Sequence, residues 1–110
     1  MIFNKEGSTT IITQEKTTII EFVKGLEDKY ASLENDNIIV NLFSLEQISV
    51  DDVNEFLRIS NQHKAAKHSF VIVTNKISYD EVLSEITIVP TLQEAYDLVE
   101  MEEIERDLGF

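Results

Sequence analysis

The chain has 110 residues, of which 43% are hydrophobic and 8% aromatic. That suits one domain with one core, residues 1–110, and argues against disorder. The formal net charge of −12 opposes polyanions, so nucleic acid and anionic membrane surfaces are not expected partners.

The first fourteen residues read as two short strands, Ile2 to Asn4 and Thr9 to Thr13. Lys5-Glu6-Gly7-Ser8 forms the turn between them, and Gly7 supplies the backbone freedom a hairpin needs. Thr18 with Glu21 three residues later predicts a capped helix start. Ile19, Phe22, Val23, Leu26, Tyr30 and Leu33 follow at helical spacing and predict one buried face. Gly25 within that run costs the helix about 1 kcal/mol relative to alanine unless a close contact compensates.

"NIIVNLF", Asn37 to Phe43, is rich in β-branched residues and predicts a central strand covered on both faces. The stretch "ISVDDV", Ile48 to Val53, opens a helix predicted from Val50 to about Lys64, with Val53, Phe56, Leu57 and Ile59 on its buried side. Ser49 and Asp52 make an S-x-x-D cap, and Asp51 and Asp52 suit the positive end of the helix dipole. "SFVIVTN", Ser69 to Asn75, predicts a second buried strand, Ser78 to Leu83 one helical turn, and Ile86 to Val89 a short third strand. Pro90 ends it, and Thr91 with Glu94 caps a long C-terminal helix. Strands alternating with helices predict an α/β fold, a mixed and mostly parallel sheet of four or five strands behind an N-terminal hairpin.

Chemistry-bearing patterns are few. The absence of cysteine removes disulfides and thiolate catalysis and fits a reducing compartment. No basic leader or long apolar stretch occurs, so a cytoplasmic location is expected. His63 and His68 lie near a predicted helix end, where a cation is favourable, and no zinc or calcium spacing includes them. No glycine-rich phosphate loop and no G-x-S-x-G elbow is present. No catalytic residue, metal site or cofactor is therefore expected, and the chain does not read as an enzyme. In the last helix seven carboxylates face one cation, Arg106. Leu92, Ala95 and Val99 should pack on the sheet, leaving Met101, Ile104 and Leu108 partly uncovered. That acidic helix with an apolar stripe is either a solvated face or a docking surface for a basic groove or a second copy, giving a homodimer.

The segment from Asn37 to Ala95 resembles the STAS domain, the fold of anti-sigma-factor antagonists and of the cytoplasmic domain of sulfate transporters. In that family an apolar strand runs through a loop into an Asp-Ser-Ser-Gly-Leu helix start. Here "NIIVNLFSLEQI" resembles the strand and loop, "SVDDV" the helix start, "SFVIVTN" the next strand and "TLQEA" the opening of the last helix. Aligned on Ile48, Ser49 stands at the family's aspartate, Val50 at the first serine, Asp51 at the phosphorylated serine, Asp52 at the glycine and Val53 at the leucine. A carboxylate would then replace the phospho-acceptor, mimicking phosphate only weakly, and kinase-reversible switching there would be lost. A slip of a residue or two would instead make Ser49 the acceptor.

The resemblance implies a non-catalytic regulatory domain that binds a protein partner, such as a regulatory kinase or an anti-sigma-like factor. It implies a binding edge at Ser49, Asp51 and Asp52, with Thr74, Asn75 and Lys76 contributed by the neighbouring loop. Short acidic chains of this kind are also similar to chains labelled ribonuclease Z, which would make this a small hydrolase or nuclease. The H-x-H-x-D-H cluster of the zinc ribonuclease is missing here, and the acidic field opposes RNA.

Overall fold

The hairpin at the N-terminus sets the direction of everything that follows. The computed structural model describes residues 1–14 and 17–109, with the side chain of Tyr79 left aside. Strands β1 (Ile2–Glu6) and β2 (Thr9–Thr13) pair antiparallel with Glu6 opposite Thr9. That register leaves Gly7 and Ser8 as the turn, and Gly7 takes a φ of 61°, where a side chain would be strained. Helix α1 (Ile19–Asp28) and the single turn α2 (Tyr30–Leu33) lead to β3 (Asn37–Asn41). Helices α3 (Val50–Asn54) and α4 (Leu57–Ala65) lead to β4 (Phe70–Val73). A 3-10 turn, Tyr79–Glu81, precedes the two-residue β5 (Ile88–Val89), and α5 (Leu92–Asp107) closes the chain.

The five strands lie in the order β1-β2-β3-β4-β5, and every pair after the first is parallel. Right-handed crossovers that always step in one direction across a sheet place all their helices on one face. Only a terminal helix, bound by no crossover, is free to cover the other. The side chains sort accordingly. Ile12, Ile38, Val40, Phe70 and Ile72 point into the larger core with Phe22, Leu26, Val53, Phe56 and Ile59 of the crossover helices. Their alternates Ile11, Ile39, Val71 and Val73 face α5, where Ala95 and Val99 meet them. β3 and β4 are buried on both faces, which explains their unbroken apolar runs.

The elements differ from the sequence reading in several places. β1 runs on to Glu6, so the turn is Gly7-Ser8 and not Lys5 to Ser8, and the apolar run from Ile19 to Leu33 is split into α1 and α2 at Lys29. The helix expected from Val50 to Lys64 is two helices, interrupted at Glu55 and Phe56, and Phe56 fills the core at the break. The third strand shrinks to Ile88–Val89, because Ile86 already turns into the core ahead of it. At Thr18 and Thr91 only half of each capping box forms. Both hydroxyls accept the backbone N–H three residues on, while Glu21 bonds Thr17 Oγ1 and Glu94 bonds the Thr91 hydroxyl.

His63 is not the helix-end cation that its position suggested. Its ring is fully buried, with Nδ1 2.7 Å from the Tyr30 hydroxyl and Nε2 2.6 Å from the Asp36 carbonyl. Burial is the main cause holding its pKa below 6.5, so near neutral pH it is an uncharged link joining α2, α4 and the approach to β3.

Candidate functional site

The C-terminal ends of β3 and β4 face the same way, because the two strands are parallel and Asn41 pairs with Val73. The loop that leaves β3, with the helix start it runs into, carries Ser49, Asp51 and Asp52, and the loop that leaves β4 carries Thr74, Asn75 and Lys76.

The first loop is pinned from below. Leu42 is fully buried and donates its N–H to Val73 O, while Leu45 and Ile48 rest half-buried against the core. The Asn41 side chain accepts from Phe43 N at 3.0 Å, and Ser44 donates to Gln14 O at 3.1 Å. Those anchors turn Phe43, Ser44, Glu46 and Gln47 outward. At the helix start, Ser49 Oγ accepts from Asp52 N at 3.1 Å and Asp52 Oδ2 accepts from Ser49 N at 2.9 Å. Both members of that reciprocal cap are therefore engaged with backbone. Asp51, in the same turn, is exposed. Val53 one turn deeper is fully buried and locks the helix to the sheet.

The second loop is built on Thr74, which is only 1% exposed. Its N–H donates to Val89 O at 3.0 Å, and its hydroxyl accepts from Lys76 N at 3.2 Å. Asn75 and Lys76 are thereby held out in solvent, and Ile77 returns to the core. Between this loop, the Ser78–Glu81 turn and the Val89-Pro90 corner lies a shallow cleft of ≈ 410 Å³.

The six residues thus divide by what they can offer. Asp51, Asn75 and Lys76 present free surface; Asp52 and Thr74 hold backbone, and Ser49 caps a helix. No hydrogen bond among the described residues links the two loops directly; the shared sheet edge is what relates them. Phe43, 56% exposed at this edge, is a residue that the sequence reading left out of the site. The signal was present in the alternation of "VNLF": with Leu42 directed inward, the next side chain must point away. The histidines are at the other end of the strands, beside Asp36 and before β4. Among the described residues no group of three or more His, Cys, Asp or Glu is arranged to hold a metal. An exposed aromatic beside isolated charges on a rigid edge suits contact with another protein.

The chain is 19% identical to the protein TM1081, whose NMR structure superposes with a TM-score of 0.66 over 89% of this chain and 86% of that one. It is 15% identical to RsbS of Moorella thermoacetica, determined as a serine-to-glutamate variant. That structure gives a TM-score of 0.69 over 96% of this chain and 97% of that one. RsbS is a STAS-domain anti-sigma-factor antagonist. The fold is STAS-like. No family model and no curated protein matches the chain. A STAS-like topology fits the mixed sheet whose strand order steps one way from β1 to β5, and the full-length superposition extends the likeness beyond the Asn37–Ala95 segment that carried it in sequence. Among the described residues no helix is long and apolar enough to cross a membrane.

Proposed function

We propose that this chain is a non-catalytic regulatory domain of the cytoplasm that binds a protein partner through the C-terminal edge of β3 and β4. Asp51, Asn75, Lys76 and Phe43 make the contacts. Ser49, Asp52 and Thr74 keep the two loops in shape. The observation that carries this reading is the combination of a rigidly pinned edge with exposed side chains that no hydrogen bond or ion pair among the described residues uses. Phe43 stands out although Leu42, Leu45 and Ile48 fix the backbone around it.

The STAS-like fold and its likeness to RsbS support a partner such as a regulatory kinase or an anti-sigma-like factor. In this reading Asp51 gives the helix start a permanent charge where the STAS resemblance expects a reversible phosphate. Ser49 is poorly suited to phosphorylation, because its hydroxyl already caps α3.

Affinity capture from the host lysate tests the proposal. The wild-type chain should retain a specific protein, and Asp51→Lys and Lys76→Glu should each release it while the chain stays folded by circular dichroism. Asp51→Lys should lower the Tm only by the small amount that an acidic group in the first turn of α3 contributes. Capture unaffected by both changes would refute the assigned edge. Absence of any specific protein would refute the interaction role itself.

A further inference from the structure

Helix α5 has two faces with unrelated chemistry. On the inner one, Leu92, Ala95 and Val99 pack on the sheet. Two turns beyond Val99, the Arg106 guanidinium donates to Ser69 Oγ at 3.2 Å and Asn37 Oδ1 at 3.1 Å, and Ser69 donates to Glu102 at 2.5 Å. On the outer face Met101, Ile104 and Leu108 are 51%, 53% and 67% exposed. Their spacing of three and four residues sets them in one stripe along the helix.

Exposed Asp97, Glu100 and Glu105 flank the stripe. The one basic residue of α5 is turned inward to Ser69 and Asn37, so it does not neutralise them, and among the described residues no ion pair involves α5. This composition works against the helix that bears it. Glu103, Glu105 and Asp107 sit at the negative end of the helix dipole, and Glu103 and Asp107 are like charges four residues apart. A stripe of water-exposed apolar groups adds a further cost. Arg106 in the last turn and the Ser8 hydroxyl on Glu103 offset part of the charge cost, but among the described residues no ion pair reaches Asp97, Glu100 or Glu105 beside the stripe.

We propose that the outer face of α5 is a docking surface for a cationic amphipathic helix of another protein. Apolar side chains of that helix would cover Met101, Ile104 and Leu108, and its Lys or Arg residues would meet Asp97, Glu100 and Glu105. Methionine in the stripe suits a surface that adapts to an incoming side chain. Charge selects this occupant over a second copy of the chain. A symmetric pairing would bring the same acidic rim against itself in a protein of net charge −12. The surface lies on the opposite layer of the sheet from α3, so it is independent of the edge assigned above.

The test uses the full chain and a fluorescent synthetic Leu/Lys amphipathic helix about 14 residues long. A scrambled peptide of the same composition is the control, and binding is read by anisotropy. The amphipathic peptide should bind more tightly than the scrambled one and weaken as salt is raised. Ile104→Ser with Leu108→Ser should reduce affinity on the order of tenfold. Glu100→Lys with Glu105→Lys should weaken binding and flatten its salt dependence, while Asp51→Lys leaves it unchanged. Circular dichroism checks that α5 persists in each variant. Equal affinity for both peptides, or an undiminished affinity of the double serine variant, would overturn the proposal. So would a dimer seen by light scattering that the double serine variant dissolves, because the stripe would then belong to self-association.

Discussion

Replacing Ser49 with alanine removes one hydrogen bond and little else, which makes the capping account of the α3 start measurable. The lost contact is Ser49 Oγ accepting from Asp52 N at 3.1 Å, whereas the reciprocal bond from Ser49 N to Asp52 Oδ2 is backbone-donated and survives. The freed N–H lies at an exposed helix end and returns to water, so the cost is that of an N-cap, about 1 kcal/mol. Because Val53 ties α3 into the main core, the loss should appear in the global transition. For a domain of this size it corresponds to a fall in Tm of about 4 °C. Ser49→Asn, an equally good cap, should recover most of it. Thermal melts by circular dichroism, with urea titrations to confirm an unchanged m-value, measure both. An alanine variant with the wild-type Tm, or an asparagine variant no better than alanine, would refute the assignment of Ser49 to capping.

Three further outcomes are expected. Phe56 is fully buried at the α3–α4 break, edge-on to Phe22 at 5.9 Å and tilted against Phe70 at 6.5 Å. Phe56→Ala should therefore cost about 3–5 kcal/mol in urea unfolding. Gly25→Ala should be neutral or raise stability by up to about 1 kcal/mol, because the added methyl meets only the mobile end of Met1. A marked fall in Tm would show that the helix there admits no Cβ. His63 links the pH dependence to the fold. With its pKa lowered mainly by burial, the unfolded chain binds a proton that the folded one resists. The histidine's contribution is intact above 6.5 and declines as pH falls through that value. General relief of acidic repulsion acts in the opposite sense, so the comparison is with His63→Leu. Between about pH 7.5 and 5 the wild type should lose more stability than the variant, and parallel curves would contradict the buried neutral histidine.

The parts of this structure that were legible in sequence are those governed by local pattern. Alternation and β-branching in "NIIVNLF" and "SFVIVTN", the Ser49–Asp52 cap and the exposed Met101, Ile104 and Leu108 all depend on neighbours within a turn or a strand. What escaped depends on contacts distant along the chain. The interruption at Phe56 follows from its packing between Phe22 and Phe70, and no propensity marks it. His63 looks like a surface cation until Tyr30 and the Asp36 carbonyl close over it. At the candidate edge, Thr74 ranked with Asn75 and Lys76 by position alone. Only the bond from its N–H to Val89 O, which needs β5 in place, separates the buried residue from the exposed ones. Arg106 is similar: its inward course to Asn37 and Ser69 is what leaves the outer face of α5 without a cation.

The most direct test of the account is a hydrogen-exchange footprint of the chain bound to the protein it captures. The account predicts slowed exchange at the edge formed by residues 43–51 and 75–78. Protection confined to other surfaces, with that edge exchanging as in the free chain, would contradict it.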